Sequence, residues 1–298
     1  MKILQLHNEK HKRIEKAFGE WLKVMGYASN TVYGLPLYAR EFFHWIESQD
    51  DCQLETLTGK HIENYFFHLK TRPCVRKTGT MSINNLHKHH HGLKKLSHYL
   101  RETGQVFLEV DIMLPKQQRK TKSILAKAEV KTLYEACQLT PLGIRDRAML
   151  AIFYGLGLRR AEGAGLDISD ILFDQHLIYV RKGKHYKERY VPMTKEVKNE
   201  IENYLNYARP ALLKNPNEPS FFVSERGTRL QGQSLYLRLK KLIEKTELDK
   251  EIGLHHLRHS IATHLLQSGM KLNHIAKFLG HDSIESTQIY THLVNEIE

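Results

Sequence analysis

The sequence predicts a mainly α protein with a small antiparallel β-sheet, built as a helical first domain and a larger α+β second domain. Three observations carry this prediction. Apolar residues recur at helical spacing through most of residues 8–102. Residues 168–192 switch to short strand-like runs separated by turn residues. Between these regions, residues 111–123 include a basic, polar stretch with nothing to anchor it in a core. At 298 residues the chain is long enough for two domains, since domains commonly run to about 100–200 residues.

Domain one is expected to cover residues 1–110 as four helices. Residues 8–25 place Ile14, Phe18, Trp21 and Leu22 on one stripe. A second helix, with Ser29 as its expected cap, carries Phe42, Phe43 and Ile46; Pro36 either kinks it or marks its start. The third begins after Thr58 and carries Ile62, Tyr65, Phe66 and Leu69. The fourth runs from Ser82 to Glu102 and stops before Gly104. A linker follows at residues 111–123, where Lys116, Arg119, Lys120 and Lys122 suit either a solvated tether or a strap along a polyanion.

Domain two is expected at residues 124–298. Helices are predicted over 127–139 and 142–156. Strands follow at Ile168–Phe173, Leu177–Arg181 and Tyr190–Pro192, with Lys182–Lys187 as the turn of a hairpin. The remainder returns to helix over 194–208, 232–246, 255–268, 271–279 and from 284 onward.

Lys and Arg outnumber Asp and Glu by 45 to 33, and the net charge of +12 is spread over both domains. Such a field favours a polyanion, because counterion release drives binding to nucleic acid whatever its sequence. No apolar run approaches the roughly 20 residues that span a bilayer, and the segment Met1–His7 is too short and polar for a signal peptide. A cytoplasmic, nucleoid-associated protein is therefore expected. Cys52, Cys74 and Cys137 lack metal-ligand spacing and are expected to be reduced thiols used for packing.

Chemistry concentrates in five short motifs. Arg159 lies in Gly155-Leu156-Gly157-Leu158-Arg159-Arg160-Ala161-Glu162, and Lys184 stands at the tip of the expected hairpin. His255 and Arg258 form His-x-x-Arg; His281 closes Leu279-Gly280-His281; Tyr290 lies in Ser286-Thr287-Gln288-Ile289-Tyr290-Thr291-His292. Breaking a phosphodiester without hydrolysis needs a nucleophile, cations at the non-bridging oxygens and an acid for the leaving oxygen. A phenol, two guanidiniums, two imidazoles and an ammonium supply all three. Arginine forks match phosphate oxygens better than lysine does, and imidazoles titrate nearest neutrality. Glu162 reads as a structural partner for a nearby cation, and Arg160 as a surface or DNA-backbone residue.

In their order and spacing these motifs resemble the tyrosine recombinases, the phage-integrase class that includes Xer-type resolvases. All six signature positions, Arg159, Lys184, His255, Arg258, His281 and Tyr290, hold the expected residue. The resemblance covers residues 124–292, and more weakly the helical first domain, which is similar to the family's core-binding domain. It implies a C-shaped clamp on double-stranded DNA recombination sites and four protomers on two sites, either a homotetramer or a heterotetramer with a second recombinase. It further implies a 3′-phosphotyrosine at Tyr290 and passage through a Holliday junction. Arg159 and Arg258 would steady the phosphorane, Lys184 would act as general acid, and His255 and His281 would assist proton transfer. Neither metal nor energy cofactor is implied.

Two departures from the family qualify this. Tyr290 is followed by only eight residues, so either Leu293 and Val294 make a reduced contact with the neighbouring subunit or the subunits are coupled elsewhere. No arm-binding domain is expected before the helical module, which favours action on short core sites. The run His87-Lys88-His89-His90-His91 reads as a phosphate-contacting helix face, with Lys94 or Lys95, rather than as a metal site. Two other functions stay open on the residues: a type IB topoisomerase, which uses similar chemistry, and a DNA-binding regulator that retains a catalytic domain.

Overall fold

The computed structural model describes residues 4–49, 56–73, 78–105, 108–116, 123–181 and 188–280. The chain divides into two compact units, Met1–Lys120 and Thr121–Glu298. Among the described residues both are dominated by helices, with one three-stranded sheet in the second. Among the described residues no helix is long and apolar enough to cross a membrane.

Among the described residues of the first unit there are four helices: α1 (Glu9–Val24), α2 (Ser29–Ile46), α3 (Gly59–Thr71) and α4 (Ile83–Glu102). Ile14, Phe18 and Leu22 recur every four residues and face the core, while Trp21 sits at its rim against Tyr27 and Tyr99. Phe42, Phe43, Ile46, Ile62, Tyr65, Phe66 and Leu69 are all buried, as their spacing predicts. Ser29 proves to be the first helical residue rather than the cap, because Ala28 holds the extended cap conformation. Pro36 lies inside α2 without ending it, its ring 3.5 Å from where a Cβ on Gly19 of α1 would sit. Thr58 caps α3, and His61 returns the favour by accepting from the Thr58 amide at 3.1 Å.

The histidine run on α4 is only partly a surface. His89 is buried, and its Nδ1 meets the Tyr65 hydroxyl at 3.1 Å. Burial holds its pKa down at about 4, against the pull of Glu41. This histidine belongs to the core and is unavailable to phosphate, which corrects the reading of the run as one contacting face. His91 and Lys94 are exposed, and Lys95 donates to the Tyr27 hydroxyl at 2.8 Å.

The second unit opens with α5 (Lys127–Glu135) and α6 (Pro141–Leu150), the latter passing directly into a π-helical turn at Ala151–Gly155. A six-residue helix not foreseen from the sequence, α7 (Arg160–Gly165), follows. The strands β1 (Ile171–Leu172), β2 (Leu177–Val180) and β3 (Arg189–Pro192) form an antiparallel sheet in that order. Ile168–Asp170, expected as strand, is a 3₁₀ turn; the Asp170 carboxylate accepts from the Asp167 amide at 2.8 Å and keeps the segment coiled. Ile178 pairs with Val191 toward the core, and Tyr179 stacks on Tyr190 across the outer face at 5.1 Å.

Helix α8 (Lys195–Asn203) continues through a π-helical turn, Tyr204–Ala208, into α9 (Arg209–Leu212). The last described helices are α10 (Gly232–Ile243), α11 (Leu254–Gln267) and α12 (Leu272–Leu279). One core joins α5, α6, the sheet, α8, α10 and the start of α11, and a smaller cluster of Ala262, Ile275 and Leu279 seats α12 on α11. Cys137 is a buried thiol whose Sγ–H donates to the Leu133 carbonyl. Cys52, Cys74, the expected turn at 182–187, most of the linker cations and the expected helix from 284 lie outside the described residues.

Candidate active site

Local chain geometry explains why the first motif has its spacing. After the π-helical turn the backbone passes through Gly157 in the left-handed region, with φ 60°. A Cβ there would stand 2.8 Å from Leu279 Cδ2, so glycine serves both the turn and the close packing of α12. Arg159 then becomes the N-cap of α7, rather than a residue within a helix. Glu162, three residues on, reaches back so that its carboxylate accepts from the Arg159 amide at 2.8 Å. The same carboxylate accepts from Arg159 Nη1 at 2.8 Å. An interval of three is what places both the cap and the ion pair on one helical turn.

Glu162 also accepts from Arg189, the first residue of β3, through Nη1 at 3.1 Å and Nη2 at 2.9 Å. Its side chain is only 2 % exposed. Burial alone would raise its pKa, but the bonds from Arg189 and Arg159 outweigh burial and hold it at about 2. The sequence reading of Glu162 as a partner for a nearby cation is correct and incomplete, because there are two cations. Arg160, beside it, is exposed.

Arg258 is buried on α11, where Nη1 donates to the Gly157 carbonyl and Nη2 to the Leu279 carbonyl at 2.8 Å. Arg159 Nη2 donates to the next carbonyl, Gly280, at 2.7 Å. Arg189 Nε donates to the preceding one, Phe278, at 3.3 Å. Three guanidiniums from three separate elements thus hold three consecutive carbonyls at the carboxy end of α12. A helix leaves its last carbonyls without internal partners and carries partial negative charge there, so arginine is the natural complement. Gly280 ends the helix at φ 66°, and a Cβ on it would strike Arg189 Cδ at 2.8 Å.

The neighbouring histidines divide their work. His256 accepts from the Gly253 amide at 2.9 Å through Nδ1 and so caps α11. His255 is exposed, and it lies close enough to Arg258, Arg160 and Arg159 for their charges to act on it. Its pKa lies below the ordinary imidazole value because of partial desolvation and then the charges of Arg258, Arg160 and Arg159. The same three cations make this place one that welcomes an anion.

Of the six residues singled out in the sequence, the structure brings Arg159, His255 and Arg258 together. Lys184, His281 and Tyr290 lie outside the described residues. Arg189 was not singled out; only its place at the start of a strand, close in sequence to Lys184, hinted at it. Arg181, which follows β2, is bound by Asp170 and by Asp167 at 2.7 Å. Among the described residues no group of three or more His, Cys, Asp or Glu is placed to hold a metal ion.

What this arrangement can do is hold one phosphate between two rigidly mounted guanidiniums with an imidazole alongside. Comparison with known proteins fits that chemistry. Residues 123–296 match the model of the phage integrase family. The chain is 32% identical over 274 residues to a tyrosine recombinase XerD of Corynebacterium glutamicum, covering 90% of this chain and 89% of that one. It is 33% identical over 261 residues to a tyrosine recombinase XerC of Natranaerobius thermophilus, covering 86% and 84%. In fold it is similar to the XerH site-specific recombinase bound to a palindromic difH substrate in a post-cleavage complex, with TM-score 0.71, 21% identity, and 96% and 82% of the two chains covered.

Proposed function

The chain belongs to the phage integrase family, and from that premise we propose how its residues divide the work of a site-specific DNA recombinase. It is an enzyme that cleaves and rejoins DNA. Tyr290 attacks the scissile phosphorus, forming a 3′-phosphotyrosine and releasing a 5′ hydroxyl. Arg159 and Arg258 donate to the non-bridging oxygens as they gain charge. Lys184 gives a proton to the leaving oxygen, while His255 and His281 assist proton transfer and hold the phosphate. The hydroxyl released on one duplex attacks the phosphotyrosine of the other, so two such exchanges pass through a Holliday junction. Each step exchanges one phosphoester for another, so bond energy is conserved.

The observation that best supports these roles is that Arg159 and Arg258, far apart in sequence, donate to the adjacent carbonyls of Gly280 and Leu279. Two guanidiniums from separate elements thus converge on one helix end, where their charges add. Residues 1–110 act as a core-binding domain, 111–123 as a linker along the DNA, and 124–298 as the catalytic domain. Four protomers, alone or with a second recombinase, assemble on two sites at the nucleoid.

The test uses duplexes selected from random DNA by the protein itself, then nicked near the cleavage point so that the cut strand cannot rejoin. Wild type accumulates a covalent protein–DNA adduct; Tyr290→Phe binds the same duplex and forms none. An adduct that persists in Tyr290→Phe refutes the assignment. Relaxation of supercoiled plasmid lacking any selected site would instead indicate a topoisomerase.

A further inference from the structure

We propose that Arg189 is a positioning residue for cleavage: by taking up the Glu162 carboxylate it keeps Arg159 from closing a two-pronged bond onto that carboxylate and so orients it for the phosphate. This assignment rests on the recombinase reading above and adds a residue to it. The problem it solves is electrostatic. Glu162 is needed at its position because it caps α7 and fixes Arg159, yet a buried carboxylate beside a lone guanidinium would cancel the charge that the phosphate requires. An unshared carboxylate also favours a two-pronged bond with Arg159, which would turn the fork away from any substrate.

Arg189 removes that conflict. Its two terminal nitrogens both donate to Glu162, at 3.1 Å and 2.9 Å, leaving Arg159 a single side-chain bond to the same carboxylate. Arg159 Nη2 is then released to the Gly280 carbonyl at 2.7 Å. With two cations on one anion, the cluster keeps a net positive charge at the edge where Arg159 stands. Arg189 is itself fixed, being 11% exposed and tied through Nε to the Phe278 carbonyl at 3.3 Å. The missing side chain of Gly280 leaves the space it occupies. The ionised state of Glu162 far below neutrality agrees with this shared arrangement.

The experiment measures single-turnover adduct formation on the nicked, selected duplex at saturating protein, with duplex affinity measured in parallel. Arg189→Met is expected to slow adduct formation by roughly ten- to a hundredfold, because Arg159 is drawn onto Glu162, while affinity changes by no more than about threefold. The double variant Arg189→Met with Glu162→Gln removes the competing charge and is expected to recover to within about tenfold of wild type. A residue that only supported the fold would give the opposite result, the second substitution adding to the first. Adduct formation by Arg189→Met at the wild-type rate overturns the proposal, and so does a double variant no faster than the single one. Should Arg189→Met not fold, the double variant is compared with wild type directly, and a loss beyond about a hundredfold overturns it. A wild-type protein that forms no adduct on any selected duplex overturns the recombinase reading itself, a result separate from either of these.

Discussion

Arg159 donates to the carbonyl of Gly280 at 2.7 Å across 121 positions of sequence. That bond, with those of Arg258 to Leu279 and Arg189 to Phe278, makes the end of α12 the common anchor for the cationic cluster. The glycines at 157 and 280 belong to the same construction. One turns the chain under Leu279, and the other lets the helix end against Arg189.

Gly280→Ala is therefore expected to do two kinds of damage. A left-handed backbone costs an L-residue about 1–2 kcal/mol, and the new Cβ must displace Arg189, whose carbon atom lies at 2.8 Å and whose head group is held by Glu162. Thermal unfolding should show the first effect, a few degrees of lowered Tm. Adduct formation should fall by much more than that destabilisation accounts for. A variant whose activity loss matched its unfolded fraction would show that Arg189 tolerates displacement.

Tyr154→Phe addresses the π-helical turn that carries the chain toward Arg159. The Tyr154 hydroxyl meets His264 Nδ1 of α11 at 2.9 Å, tying the approach to Arg159 to the helix that bears Arg258. Removing it leaves a largely buried ring nitrogen without this partner, at an expected cost of about 1 kcal/mol. Because Trp21 and Trp45 both lie in the first unit, the measurement should be hydrogen exchange of α11 amides rather than tryptophan fluorescence. Unchanged exchange there would mean that the hydroxyl contributes nothing to the junction.

How legible all this was in the sequence depends on the range of the interaction. Helices whose apolar residues repeat every three or four positions, such as that with Ile62, Tyr65, Phe66 and Leu69, followed from local pattern alone. Helix α7 did not, because its six residues include two glycines and its stability comes from Glu162 capping and from packing of Gly163 on Phe153. The strand expected at Ile168–Phe173 shrank to Ile171–Leu172 because a side chain, Asp170, took over a backbone amide. At the candidate site, motif order singled out Arg159, His255 and Arg258. It did not identify Arg189, since a carboxylate shared by two arginines is a relation between β3 and α7 that no local spacing records.

Acid stability offers a direct test of that shared carboxylate. The folded-state pKa of Glu162, about 2, lies below its ordinary value of 4.5, so its contribution is fully present above pH 4.5 and is lost as pH falls toward 2. For a group so well buried this amounts to about 3 kcal/mol. Glu162→Gln has no such contribution. Between pH 5 and pH 3 the wild-type second unit should lose stability more steeply than the variant, read from urea unfolding or hydrogen exchange of the sheet. Parallel acid slopes in the two proteins would mean that the arginines do not hold the carboxylate in its charged form.

The last prediction concerns His255, whose pKa in the free protein is depressed by desolvation and by Arg258, Arg160 and Arg159. A phosphate bound among those cations neutralises part of their field and brings an anion to the ring, so DNA binding must raise that pKa. Linkage then fixes the sign: the bound state holds more protons, and affinity strengthens as pH falls through the interval between the free and bound values, which starts below the ordinary 6.5. Other histidines contribute their own slopes, since the chain has 19. The decisive quantity is therefore the difference between wild type and His255→Gln, measured as duplex Kd from pH 8 to pH 5.5 at constant salt. The variant should show the shallower dependence, by up to one proton. Equal slopes would place His255 away from the bound phosphate and leave Arg159 and Arg258 to hold it without an imidazole.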